Sequence, residues 1–197
     1  MEIFDISQEV FGCAVFPGDP KPERRIEQEI GKGAACNLSS FSMCAHNGTH
    51  VDAPLHFLPE GKSVDRVALD RFIGYAYVAN HEGPLLAEDA QRILCAAREC
   101  DAGAAERILV KGKATLTAEA ARIFADRAIK LFGNESQTVG PENAPMEVHR
   151  ILLQAEVVLL EGIRLSEVEE GIYLLHAAPL NLGGAEGAPC RATLLKL

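Results

Sequence analysis

YAYVANH (75–81), AEDAQRILCAAREC (87–100), ERILVKG (106–112), TAEAARIFADRA (117–128), IKLFG (129–133), APMEVHRILLQAE (144–156) and VVLLEG (157–162) follow one another along the chain. The first, third, fifth and seventh are short β-branched or aromatic runs that suit strands, and the others read as helices. Glu88 and Asp89 stand where the first helix opens, and Thr117 caps the second, three residues before Ala120, without a full capping box. A β-α-β-α-β-α-β order predicts an α/β layer with parallel strand pairs, because a helix is the usual crossover between parallel neighbours. Outward from this block, EIFDIS (2–7), VFPGDPKPE (15–23) and RRIEQEIG (24–31) read as short strands and turns. GIYLLHAAPL (171–180) and CRATLLKL (190–197) add antiparallel pieces, giving a mixed sheet.

A chain of 197 residues predicts one domain spanning 1–197. Apolar residues at 48% and charged residues at 24% exclude a disordered tail or a fibrous repeat. The net charge of −9 argues against nucleic acid or an anionic membrane as partner and leaves a small molecule as the expected one. Six cysteines (Cys13, Cys36, Cys44, Cys95, Cys100, Cys190) have no short-range pairing, which argues against a disulfide scaffold or a zinc ribbon. MEIFDIS lacks the positive charge of a secretion signal, and ILLQAEVVLL (151–160) is broken by Gln154, Ala155 and Glu156. A soluble cytoplasmic protein with reduced thiols is the expectation.

Three of the six histidines fall in HNGTHVDAPLH (46–56). Gly48, Thr49, Val51 and Pro54 disfavour a helix there, and in extended chain His46, His50, Asp52 and His56, all at even positions, share a face. A straight strand would spread them over roughly 33 Å, so the chain has to bend, and Gly48 and Pro54 stand where bends fit. Imidazole nitrogens with a carboxylate match the needs of zinc or manganese. Surface polarity in a Gly/Pro-rich loop accounts for one histidine more readily than for three and an aspartate. Glu161 closes the apolar run VVLL, and a carboxylate at the end of a buried strand needs a partner or a metal. His149, on the preceding helix twelve residues earlier, is placed to meet it.

HNGTHVDAPLH resembles the H-x-G-T-H-x-D-x-P-x-H signature of the cyclase-like metal-dependent hydrolases, among them bacterial kynurenine formamidase and isatin hydrolase, with no departure at a fixed position. VFPGD (15–19), the His149 and Glu161 spacing, LLEG (159–162) and APLNLGGAEGAPCRATL (178–194) extend the resemblance over essentially the whole chain. The resemblance implies a swivelling β/β/α-type fold and a site for two divalent ions. His46, His50, Asp52 and Glu161 would hold one ion and Asp52, His149 and Glu161 the other, with His56 as proton donor and acceptor. It also implies a dimer or tetramer in which the segment carrying Phe16 reaches a neighbouring site. The implied reaction is that of an arylformamidase in tryptophan catabolism, splitting N-formylkynurenine into kynurenine and formate.

Two departures bear on the substrate. Phe16 stands where kynurenine formamidases typically carry Trp, and Gly133, Asn134, Glu135 and Ser136 occupy a segment where the family tends to carry Asp. Another small amide, lactam or cyclic imide is therefore the alternative substrate, and a metal-binding protein without turnover the alternative class. Cys44 reads as a small buried hydrophobe, with ligation or redox sensitivity as the other reading, and His176 as an edge or core histidine that could border the site. His81 reads as a strand-end surface residue, and SEVEEG (166–171) as a solvated loop face.

Overall fold

A computed structural model describes residues 1–196, so Leu197, the last residue of the expected terminal strand, lies outside the described residues. In chain order the elements are β1 (Glu2–Asp5), β2 (Glu23–Gln28), β3 (Leu38–Ser42), β4 (His50–Asp52), β5 (Ile73–Asn80), β6 (Gly83–Leu85), α1 (Ala87–Cys100), β7 (Arg107–Lys111), β8 (Ala114–Leu116), α2 (Ala118–Asp126), β9 (Leu131–Asn134), α3 (Met146–Gln154), β10 (Val158–Glu161), β11 (Gly171–His176), β12 (Gly187–Pro189) and β13 (Thr193–Lys196). Nine strands form one mixed sheet in the order β1-β13-β11-β5-β7-β9-β10-β4-β12. Its middle is the expected parallel run: β5 pairs with β7, β7 with β9 and β9 with β10, each crossover made by one helix. Antiparallel strands flank it, with β11, β13 and β1 on one side and β4 and β12 on the other.

The helices form where apolar residues recur at three- and four-residue spacing. Ala90, Ile93, Leu94 and Ala97 are the buried stripe of α1, Ala120, Ala121 and Phe124 that of α2, and Val148, Leu152 and Leu153 lie on that of α3. Asp89 Oδ2 accepts the Leu86 amide at 3.1 Å, and Thr117 Oγ1 accepts the Ala120 amide at 3.3 Å. Strand residues alternate between two cores: Ile108, Val110, Phe132 and Leu159 pack under the helices, whereas Leu109, Leu131, Val158 and Leu160 face the opposite side.

Three features differ from the sequence reading. β6 and β8 form an additional parallel pair that three-residue segments give no periodicity to reveal. SEVEEG is more than a solvated face, since Glu170 accepts hydrogen bonds from Tyr77 Oη at 2.8 Å and Asn80 Nδ2 at 3.0 Å. The stretch 46–56 is extended only at His50–Asp52, and its other two histidines reach the same place through turns. Outside the main sheet, β2 and β3 form an antiparallel hairpin exposed along its whole length.

Phe124 is fully buried, with its ring centroid 5.1 Å from that of Phe132. Phe124→Ala should lower the unfolding free energy by about 3–5 kcal/mol through lost burial and a residual cavity. Thr117→Ala removes one helix cap and should cost about 1 kcal/mol. Urea denaturation of both variants against the wild type measures the two losses and their order.

Candidate metal centre

Strand register assembles the first part of the site. Antiparallel pairing of β10 with β4 sets Glu161 opposite His50, Leu160 opposite Val51 and Leu159 opposite Asp52. Val51 and Leu160 point into the core away from the helices, so His50, Asp52 and Glu161 emerge together on the other face, where α3 brings His149. Gly48 takes a left-handed turn at φ +62°, and a Cβ there would lie 2.8 Å from Cys13 Cβ. That turn carries the chain from His46 back into β4. Pro54 then opens a single 3-10 turn ending at His56, whose ring stacks on His46 with centroids 4.1 Å apart. The bends expected at Gly48 and Pro54 are therefore present.

The result is a buried nest. His46 Nδ1 lies 2.9 Å from Asp52 Oδ1, while His50 Nε2 lies 3.5 Å from Asp52 Oδ1 and 3.3 Å from Glu161 Oε2. His149 Nε2 lies 3.2 Å from Glu161 Oε1 and 3.5 Å from Asp52 Oδ2. Two sets of donors converge closely enough for a cation, His46 with His50 and Asp52, and Asp52 with His149 and Glu161. Glu161 reaches the first set through His50. His56 belongs to neither, its Nε2 standing 3.9 Å from Asp52 Oδ2.

Proton positions test whether a cation fits. His50 Nδ1 is 3.1 Å from the Gly48 carbonyl oxygen and His149 Nδ1 is 2.8 Å from that of Pro145. A carbonyl only accepts, so both Nδ1 atoms carry hydrogen and both Nε2 atoms point at carboxylates. His50 Nε2 and Asp52 Oδ2 are buried with no hydrogen-bond partner. Facing lone pairs of this kind require either a proton or a cation between them, and nitrogen with carboxylate oxygen is the donor chemistry of a divalent ion. The residues fit a divalent metal.

Electrostatics agree. Burial opposes the charge on His50, but the adjacent Asp52 and Glu161 carboxylates outweigh it and raise its pKa to about 10. His149 behaves alike, against burial, and Glu161 and Asp52 lift it to about 9. Burial also acts against charge on both carboxylates, yet the surrounding imidazoles hold Asp52 well below the usual range and Glu161 below it. His56 goes the other way: burial, together with the His46 and His149 charges, lowers its pKa against the pull of Asp52. It is neutral at pH 7 beside a cluster that is charged.

A cavity of about 230 Å³ opens over the nest, walled by Phe16, Asp19, Phe57, Gln137, Thr138 and Pro145. Phe16 lines the cavity of its own chain. Asn134 instead lies beneath the wall, its Nδ2 directed at the Ala114 and Thr138 carbonyls at 3.4 and 3.3 Å. His176 is exposed at the end of β11 and does not border the cavity, and Cys44 is half-buried with Sγ 3.7 Å from Asp19 Oδ2, outside both donor sets. His81 sits just past the end of β5, partly buried and 3.1 Å from the Pro84 carbonyl. Gln137, Thr138 and Glu186 carry no sequence signal that marks them for the site. Glu186 reaches His46 across 140 residues, and no local pattern signals that approach. A larger cavity of about 690 Å³, between Phe11, Phe41 and Cys190, contains none of the clustered imidazoles or their carboxylates.

Comparison with known proteins bears on this site. The profile of a family described as putative cyclase matches residues 4–141. The kynurenine formamidase of Salinibacter ruber (strain DSM 13855 / M31) is 32% identical over 214 residues, covering 98% of this chain and 97% of that protein. A solved structure described as a potential metal-dependent hydrolase with cyclase activity superposes with a TM-score of 0.79 at 26% identity, over 98% of this chain and 96% of the other. An isatin hydrolase bound to the product analogue thioisatinate shares the fold, with a TM-score of 0.82 at 19% identity over 99% and 92% of the two chains.

The raised imidazole values have a consequence for the metal-free chain. A folded pKa above the unfolded value of 6.5 contributes stability that is complete below that pH and is lost as pH rises through about 9 to 10. The depressed carboxylates act oppositely and lose their contribution as acid titrates them. The melting temperature of the metal-free protein should therefore fall as pH rises from about 6.5 to about 9–10 and level off above that range. Zinc added at pH 7.5 should displace about two protons, from His50 and His149. Calorimetry in buffers of different ionisation enthalpy reads that number, and a buffer-independent heat would contradict it.

Proposed function

The chain belongs to the putative cyclase family of hydrolases, and from that premise we propose that it is a metal-dependent arylformamidase, converting N-formylkynurenine to kynurenine and formate in tryptophan breakdown, and that residues 1–197 work as one hydrolase domain. The observation that carries this reading is a carboxylate-linked imidazole nest with one further histidine, His56, at the cavity and outside both donor sets. A purely structural metal site closes its coordination shell and has no use for such a neighbour. Full-length similarity to a kynurenine formamidase supports the choice of amide.

We assign His46, His50, Asp52, His149 and Glu161 as ligands of two divalent ions, zinc or manganese. Support comes from the two donor sets that share Asp52, more ligands than one tetrahedral ion takes. Ions bound there would polarise a carbonyl and bring the pKa of water towards neutrality. The chain's own residues do the rest. His56, kept neutral by burial, accepts the proton of the attacking water and returns it to the leaving nitrogen as the C–N bond breaks. Its stacking on His46 and edge contact with Phe57, with centroids 4.4 Å apart, hold the ring in place for both transfers. Phe16 and Phe57 offer flat apolar faces to an aromatic amide.

A second reading, another small amide, lactam or cyclic imide, is favoured by one observation: Phe16 walls the cavity with a smaller ring than an indole and no N–H donor. We also propose a homo-oligomer, dimer or tetramer. The exposed hairpin β2–β3 displays Ile26, Leu38 and Phe41 to solvent, and a lone two-stranded hairpin is marginal in water. A cytoplasmic location accords with six cysteines that are all free. Among the described residues, no helix is long and apolar enough to cross a membrane.

With the metal-loaded protein, His56→Ala should keep its metal content and lose roughly a hundredfold or more in turnover. Asp52→Ala should lose metal and activity together. Equal metal retention in both variants would refute this division of roles. Phe16→Trp separates the two substrates. It should raise kcat/KM on N-formylkynurenine by the equivalent of about 1–3 kcal/mol if the pocket serves that amide. It should slow the native reaction if the pocket serves a smaller cyclic one. Wild-type protein inactive on formylkynurenine would reject the formamidase assignment. Light scattering that returned a fully active monomer would reject the oligomer.

A further inference from the structure

The three imidazoles of the nest are not held alike. His50 and His149 donate Nδ1–H to backbone carbonyls and turn Nε2 inward. His46 is reversed, with Nδ1 inward, 2.9 Å from Asp52 Oδ1, and Nε2 outward, 3.3 Å from Glu186 Oε1. Glu186 is thus the side-chain acceptor on an outer nitrogen where the other two histidines use backbone.

The backbone around Glu186 is fixed independently of its side chain. Its carbonyl accepts the Ala53 amide at 2.8 Å, and the next residue, Gly187, stands opposite Asp52 in the β12–β4 ladder. A Cβ on Gly187 would fall 2.8 Å from His46 Cε1, so the ring lies against bare backbone. The pair Glu186–Gly187 therefore seats His46, the glycine admitting the ring and the carboxylate addressing its outer nitrogen.

We propose that Glu186 is a positioning residue whose carboxylate accepts His46 Nε2–H, so that Nδ1 is the nitrogen presented to the cation. Neutral imidazole has two tautomers, and only the one protonated at Nε2 leaves a lone pair on the inward nitrogen. Without an acceptor outside, the other tautomer and a rotated ring compete. A carboxylate partner also makes the ring a stronger donor than a carbonyl partner does, and loss of such an outer partner typically weakens metal binding by about tenfold to a hundredfold. The inference rests on the metal reading of the nest and adds a residue to it.

The test is a chelator-competition titration of the full chain with zinc, together with long-range 1H–15N NMR of the zinc-loaded protein to read the His46 tautomer. Glu186→Ala should weaken zinc binding by about tenfold to a hundredfold and remove the uniform Nε2–H signature of His46, leaving those of His50 and His149 in place. Glu186→Gln keeps an oxygen acceptor and should restore the signature and part of the affinity. Should the alanine variant fail to fold, Glu186→Met keeps the side-chain stem and carries the same expectation. Wild-type affinity with an unchanged His46 tautomer in the alanine or methionine variant overturns the positioning role alone. A wild-type chain that takes up no zinc overturns the metal reading, and this role with it.

Discussion

Asp52 and Glu161 stand on one face of paired strands, 0% and 2% exposed. Two carboxylates in that position repel one another and have lost their water, a penalty of several kcal/mol each unless positive charge and hydrogen bonds replace it. Much of the surrounding architecture answers this demand. Three imidazoles converge on the pair, the Val139 amide donates to Glu161 Oε1 at 2.8 Å, and α3 is laid across the sheet so that His149 faces inward. Val51 of β4 and Val158 and Leu160 of β10 face the other way, as strand alternation requires. A single parity error in either strand would bury His50, Asp52 or Glu161 in the wrong core and turn Val51 or Leu160 towards the cavity.

The same demand separates the histidines into two kinds. Those gripped by carboxylates are drawn to the charged state, and protons hold the place that a divalent ion would fill. His56, 27% exposed at its side chain and farther from the carboxylates, is driven to the neutral state chiefly by burial, with the charges of His46 and His149 adding to it. One cluster thus holds charged imidazoles and a neutral one side by side. The division follows from a few tenths of an ångström and one 3-10 turn, since His46 and His56 rings are in direct contact.

Legibility in the sequence followed the range of the interaction. The parallel block could be read because each strand and helix carries its own period, and Thr117 announced its helix through a three-residue hydrogen bond. Most of the nest was legible because His46, His50, Asp52 and His56 lie within eleven residues and Glu161 ends an apolar run. Even there, a uniform extended face was too simple, since only His50 and Asp52 share a strand. Glu186 was not legible: its approach to His46 depends on β12 lying beside β4, which follows from sheet order and from nothing local. The short pair β6–β8 escaped for lack of a period. His176 kept two readings open because an end-of-strand histidine looks the same in sequence whether it faces a cavity or water, and it stands exposed at the strand end.

The insertion of β4 between β10 and β12 also has a kinetic meaning. Each parallel pair in the middle of the sheet closes a loop of one helix, whereas joining β4 to β10 brings together residues more than a hundred positions apart. Loop-closure entropy favours the short connections first, so the β5-to-β10 block is the natural nucleus and β4 a late arrival. Until it docks, Glu161 lies at an open sheet edge where water can solvate it, and Asp52 is solvated on a free segment. The two negative charges are thus brought together only in the step that also delivers His46 and His50, to a block that already holds His149 on α3 beside Glu161.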